Sequence, residues 1–249
     1  MEVATGTVGG CRASAAASQW PAEVGGDPVD VVVGGDGLAS TIVGAAAPWG
    51  PGAVAALVSD LEVRLGKEAV RRARADQHAR RKPIACGVPL LTGHACDYAC
   101  RYCYIQDWYA FVAPTPSPLT GAEVLLSLLY NPHWIPGRDF IILGDVCDPF
   151  HPNLETRTLE YIEAVAPLGS PLQFSTKSAV SARAAKALVR IAREHRCPIS
   201  PLVTITTIRH ALVVEPTAPS VERRLETIRR LVAEGLAVFL FMRPLLPGA

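Results

Sequence analysis

Five short apolar runs, each separated from the next by a stretch of helical periodicity, constrain this chain more than any other feature. Residues 84–91, 139–143, 172–176, 199–206 and 236–242 read as strands. The helices between them have start signals: a capping box at Thr120-Gly121-Ala122-Glu123, Asn153, the stretch after Lys177-Ser178, and Ser220. Gly235 stops the last one. Strands separated by helices cannot pair as tight hairpins, so the alternation implies crossovers and a parallel sheet. The expected fold class is α/β, a partial (β/α) barrel truncated after its fifth strand, because no helical stretch follows residues 236–242.

The segments before this core have a different character. Residues 1–50 are rich in Ala, Gly, Ser and Val, and the expectation is a poorly ordered extension whose one strand-like run is 29–33. Residues 51–82 form a helical segment with Val54, Leu57, Val58, Leu61 and Leu65 at spacings of three and four. Its later part carries Arg71, Arg72, Arg74, Arg80, Arg81 and Lys82. A charge run of this kind reads as a solvated helix face before it reads as a phosphate-binding patch. Pro83 ends the segment, and residues 83–249 form the core. The formal net charge is only +1, which gives no global electrostatic case for nucleic acid or an anionic membrane. The first twenty residues lack a basic start and an apolar stretch. Asp36, several glycines, Pro48 and Pro51 interrupt the apolar region that follows. A cytoplasmic protein with no membrane partner is expected.

Chemistry concentrates at Cys96-Asp97-Tyr98-Ala99-Cys100-Arg101-Tyr102-Cys103, on the loop leaving the first core strand. The carboxyl ends of parallel strands are where such folds keep their sites. Seven cysteines, an odd number with three of them clustered, argue for a reducing compartment and a metal or redox role. Three thiolates are one short of a closed tetrahedral zinc site. His94, Cys86 or Cys147 would have to supply the fourth ligand, none at a matching short spacing. An iron–sulfur cluster on three thiolates instead leaves one iron open to another molecule. A structural zinc or nucleic-acid-binding module, an iron–sulfur enzyme and an inactive truncated copy of such an enzyme all remain open at this point.

The spacing Cys96-x3-Cys100-x2-Cys103 with Tyr102 before the last cysteine resembles the signature of the radical S-adenosylmethionine (SAM) enzymes. Downstream, Asp148-Pro149-Phe150-His151-Pro152, Thr176-Lys177-Ser178, Thr204-Ile205-Thr206-Thr207, Glu215-Pro216 with Arg224-Leu225, and Arg243-Pro244-Leu245-Leu246-Pro247-Gly248 follow the order of its spore photoproduct lyase-like branch. The resemblance covers residues 84–249. Phe150-His151 stand where the branch usually has Tyr-Gln, and Glu155 comes one position late.

This resemblance implies a 4Fe–4S cluster on Cys96, Cys100 and Cys103, with SAM on the open iron. It implies reductive cleavage of SAM to a deoxyadenosyl radical that abstracts a substrate hydrogen, with a flavodoxin or ferredoxin as electron donor. Nucleic acid enters as a candidate substrate through the branch alone. Gly144 and Asp145 would meet the methionyl amino group, and Lys177 and Ser178 the SAM carboxylate and ribose. Thr206 and Thr207 would meet ribose hydroxyls, and Tyr102 the cluster or adenine. Cys147 would donate a hydrogen atom to a substrate radical. The plainer alternatives are a turn cap at Asp145 or Asp148, a helix cap at Ser178, a structural Glu215–Arg224 pair, a satisfied loop histidine at His151 and an inert buried thiol at Cys147.

Overall fold

The computed structural model describes residues 49–108 and 111–246, so the expectations for residues 1–48 lie outside the described residues. Helix α1 (Pro51–Ala75) starts on a proline and breaks at Gly66, whose φ of 77° is outside the helical range. The single continuous helix expected here is therefore two. A 3-10 turn follows at Gln77–Ala79, and the side chain of Asp76 caps it by accepting from the His78 N–H at 2.9 Å.

A five-stranded parallel sheet follows. It is built from β1 (Val88–Pro89), β4 (Ile141–Leu143), β5 (Leu172–Thr176), β6 (Ile199–Thr204) and β7 (Phe239–Phe241), paired in that order. β2 (Gly93–His94) and β3 (Thr115–Pro116) pair antiparallel to one another beside it. β3 lies within the proline-rich stretch 113–118. The first core strand is shorter than 84–91. Ile84 and Gly87 close a turn on each other, and Gly87 (φ 134°) passes so near Phe140 that a Cβ there would lie 2.6 Å from the Phe140 carbonyl oxygen.

Helices α2 (Gly121–Leu129), α3 (Glu155–Val165), α4 (Ala182–His195), α5 (Ala211–Val214) and α6 (Val221–Ala233) occupy the crossovers. The capping box of α2 forms as read: Thr120 Oγ1 accepts from the Glu123 N–H, and Glu123 Oε2 accepts from the Thr120 N–H. Ser220 caps α6. Two other start signals misplace the cap. α3 is preceded by Leu154 without a side-chain cap, so Asn153 does not serve. α4 is capped by Ser181, which frees Ser178 for other contacts.

The sheet segregates its two faces by the period-two rule. Leu172 and Phe174 of β5 pack with Ile141, Leu143, Val88, Ile199 and Val203 against Leu126, Leu128, Tyr161, Ile162, Leu188 and Ile191 of the helices. Gln173, Ser175, Ser200 and Leu202 face the other way and are only partly buried. Burying a leucine or isoleucine on the helical face contributes about 1.5–3 kcal/mol each. The basic run also finds partners. Arg72 bonds buried Glu123 at 2.5 Å, Arg74 bonds Glu62 at 2.6 Å and Arg81 bonds Asp145 at 2.5 Å, so these three are not simply solvated. None of the helices among the described residues is long and apolar enough to cross a membrane.

Candidate functional site

The three cysteines lie just past β2, at the carboxyl end of the sheet. Their loop makes two left-handed turns on non-glycine residues, Ala95 (φ 71°) and Ala99 (φ 48°), each directly before a cysteine. Such backbone costs of order 1 kcal/mol or more per residue and persists where its surroundings enforce it. Here the surroundings are the later strand ends. The Arg101 N–H donates to the Val214 carbonyl at 2.9 Å, and Thr217 Oγ1 donates to the Asp97 carbonyl at 2.5 Å.

Two tyrosines of the loop reach across to the sheet. Tyr98 Oη and Ser178 Oγ are 2.6 Å apart, and the Tyr98 ring lies against His151 with centroids 5.3 Å apart. Tyr102 Oη donates to Glu215 Oε1, which also accepts from Thr206 Oγ1 at 2.9 Å. Lys177 Nζ stands 5.5 Å from the centre of the Tyr102 ring, within cation–π range. The structure thus brings Tyr102, Lys177, Ser178 and Thr206 to the cysteine loop. The Thr207 hydroxyl accepts from the His210 N–H at 3.3 Å.

Asp145 is bonded by Arg81 and by the Tyr104 hydroxyl, which donates to its backbone carbonyl at 2.5 Å and lies 3.2 Å from Oδ1. Gly144 adopts φ 100°, and a Cβ there would sit 2.6 Å from Ser175 Oγ, so packing alone requires glycine. Asp148 is a turn cap and more. It accepts from the Phe150 N–H at 3.0 Å, Thr176 Oγ1 at 2.7 Å, the Lys177 N–H at 2.7 Å and Ser178 Oγ at 2.9 Å. His151 is a satisfied loop histidine, with Nδ1 accepting from the Asn153 N–H and Nε2 3.0 Å from Asp97 Oδ1. Cys147 is 8% exposed, 3.9 Å from Thr92 Oγ1, and burial pushes its thiol up to about 12.

The donor set discriminates between metal centres. Among the described residues, the ligand atoms of the three cysteines are not all within 4.8 Å of one another. A tetrahedral zinc with bonds of about 2.3 Å holds its thiolates about 3.8 Å apart, so the loop as it stands does not fit one. A cluster that gives each thiolate its own iron suits wider sulfurs. Cys86 precedes β1, at the opposite end of the sheet from the loop, and is not a fourth ligand. Burial pushes Cys96 up to about 12 and raises Cys100 too, so neither is held as a thiolate without a nearby positive centre. The backbone N–H groups of Tyr98 and Asp148 oppose that rise at Cys96 without reversing it.

Sequence reasoning overlooked Tyr98 and Arg81. An aromatic two residues after the first cysteine was the available signal for Tyr98. Arg81 carried none beyond its charge, since its partner is 64 residues away.

No family model matches the chain, and no curated protein matches it. Its fold is similar to that of spore photoproduct lyase complexed with dinucleoside spore photoproduct, at a TM-score of 0.53 and 15% identity over 72% of this chain and 54% of that one. A cysteine-to-alanine mutant of the same lyase with the same dinucleoside gives 0.51 and 13% over 77% and 63%. The chain therefore spans between half and two thirds of the proteins it resembles. These likenesses are of fold: the parallel sheet and its helices follow the arrangement of spore photoproduct lyase.

Proposed function

We propose that this chain is a radical SAM enzyme in which Cys96, Cys100 and Cys103 hold a 4Fe–4S cluster. The observation that carries the reading is the placement of the three-cysteine loop against the segments that follow β5 and β6, through Tyr98–Ser178 and Tyr102–Glu215. Bound there, the cluster and SAM supply, on one-electron reduction by a flavodoxin- or ferredoxin-type donor, a carbon-centred radical that removes a hydrogen from the substrate. The residues of the chain orient and enclose. Lys177 offers its ammonium to the SAM carboxylate, and Ser178 and Thr206 offer hydroxyls to the ribose. Thr207 is the outer member of that set. Gly144 leaves room for the methionyl end, whose ammonium is drawn to the Asp145 carboxylate. Tyr102 packs beside the cluster.

Cys147, buried near Cys96 and protonated at neutral pH, is the proposed hydrogen-atom donor that quenches a substrate radical. Its raised pKa suits this role, because a thiol and not a thiolate gives up a hydrogen atom. The proposed substrate class is a nucleic-acid lesion, by analogy with the dinucleoside in the solved lyase complexes, and the proposed location is cytoplasmic. Anaerobic reconstitution with iron and sulfide, followed by assay of reductive SAM cleavage, tests the reading. Wild-type protein is expected to take up a brown cluster and form 5′-deoxyadenosine, and Cys100→Ala to do neither. A colourless zinc-loaded protein, or unchanged iron in Cys100→Ala, overturns it.

A further inference from the structure

Arg81 belongs to the segment that precedes the core, yet its guanidinium ends at the carboxyl end of β4. Nη2 donates to Asp145 Oδ2 at 2.5 Å, and Nη1 donates to Gln77 Oε1 at 3.1 Å. The backbone behind it is fixed from the core. Asn131, 4% exposed, donates its side-chain amide to the carbonyls of His78 and Arg81, both at 2.8 Å. His78 Nε2 accepts from the Leu91 N–H at 2.9 Å, and Ser127 Oγ donates to Asp76 Oδ1 at 3.4 Å. On its other side Asp145 meets the cysteine loop: the Tyr104 hydroxyl donates to its carbonyl at 2.5 Å and lies 3.2 Å from Oδ1. One aspartate is thus held from two directions, by the residue after Cys103 and by a residue from outside the core.

We propose that Arg81 is a positioning residue of the candidate site, holding the Asp145 carboxylate in the orientation that meets the amino group of SAM. The inference rests on the reading of this site as one for a cluster and SAM. An ionised carboxylate has about four lone-pair positions on its two oxygens. Arg81 occupies one on Oδ2, and the Tyr104 hydroxyl lies within reach of one on Oδ1. The positions left over can serve an ammonium. Asp145 is 15% exposed, and a small residue in place of Arg81 would free its side chain to turn toward water. Ordering it would then fall to the ligand, which weakens binding by about threefold to tenfold. Arg81 also carries a positive charge that repels an ammonium, so order and charge act in opposite directions. The guanidinium fork reaches Gln77 and Asp145 at once, which a lysine ammonium on its flexible stem does not reproduce. Arg81→Lys therefore keeps the charge and loses part of the order.

The test reads binding and not turnover. Wild type, Arg81→Ala, Arg81→Lys, Asp145→Asn and the double variant Arg81→Ala with Asp145→Asn are reconstituted anaerobically with iron and sulfide. Calorimetry then gives Kd for S-adenosylhomocysteine, which keeps the amino and carboxylate groups of SAM, and for its desamino analogue, which lacks only the amino group. Arg81→Ala is expected to weaken S-adenosylhomocysteine by about threefold to tenfold and the analogue by less than about twofold, with a smaller loss of the same kind in Arg81→Lys. The double variant is expected to bind S-adenosylhomocysteine no more weakly than Asp145→Asn, because Arg81 acts through that carboxylate. Equal weakening of both ligands in Arg81→Ala overturns the proposal in favour of a purely structural pair. Unchanged or tighter binding of S-adenosylhomocysteine, or additive losses in the double variant, overturns it as well. Should Arg81→Ala take up no cluster, Arg81→Lys decides by the same comparison: a loss confined to S-adenosylhomocysteine supports the proposal, and an equal loss, no loss or failure of cluster uptake overturns it. A wild-type protein that takes up no cluster, or binds neither ligand, overturns the cluster-and-SAM reading itself, a result distinct from any of these.

Discussion

Glu215 and Arg224 form an ion pair whose side chains are 0% and 1% exposed. The guanidinium also donates to the carbonyls of Pro219 and Thr204, and the carboxylate accepts from Tyr102 and Thr206. The pair thus anchors the cysteine loop to the end of β6. A buried pair of this kind contributes little net stability over a well-packed apolar pair, but deleting one partner strands a charge at a cost of about 3–5 kcal/mol. Glu215→Ala is expected to lower unfolding stability in urea by about that amount, and Glu215→Ala with Arg224→Met to recover part of it. Wild-type stability in the single variant would show that the pair is not closed to water.

Acid is expected to weaken the fold at three linked places. Burial pushes the carboxyls of Asp76, Glu123 and Glu215 up, but partners more than offset it: His78 for Asp76, Thr120 and Arg72 for Glu123, and Tyr102 and Arg224 for Glu215. All three are held below their ordinary values of 3.8 and 4.5. A folded pKa below the unfolded one stabilises above the unfolded pKa, and the stabilisation is lost as pH falls through the folded pKa. The thermal midpoint should therefore fall as pH drops from about 4.5 downward, with a shallower fall in Glu123→Gln. A midpoint that holds steady through that window contradicts the assignment.

The alternation of runs and helices made the parallel sheet legible, because period two and period 3.6 are local signals and each strand needed a crossover. β5 was read to the residue, since Leu172, Phe174 and Thr176 alternate cleanly with half-buried neighbours. β1 was overextended because apolar residues 84–91 look alike in sequence, whereas Gly87 bends the backbone against Phe140. Within the candidate site, the spacing of the cysteines put all three on one loop after the first core strand. The burial of Asp148, the Tyr98–Ser178 bond and the Arg81–Asp145 pair were not legible, because each depends on contacts across 30, 80 and 64 residues that no local pattern encodes.

Gly144 illustrates a residue with two demands on it. Its positive φ and its 2.6 Å approach to Ser175 Oγ act on the metal-free fold, before any ligand is present. Gly144→Ala is expected to destabilise the protein without iron or SAM by about 1–3 kcal/mol, read by urea denaturation of the metal-free protein. An alanine variant as stable as wild type, defective only in SAM binding, would show that the glycine serves the ligand alone.

Thiol reactivity should sort the cysteines by their surroundings. Cys86 is exposed, while Cys147 and Cys197 are 8% and 1% exposed. Burial pushes both of the latter up to about 12, so at pH 8 only about one in ten thousand of either is thiolate, the form that alkylates. Access and ionisation act in the same direction. In the folded, metal-free protein treated with iodoacetamide at about pH 8, Cys86 is expected to be modified first and Cys147 and Cys197 last, with all three modified alike in denaturant. Peptide mass spectrometry over a time course gives the order. Early modification of Cys147 would mean that its pocket opens to solvent and that the thiol ionises, which would remove the basis for its proposed role as a hydrogen-atom donor.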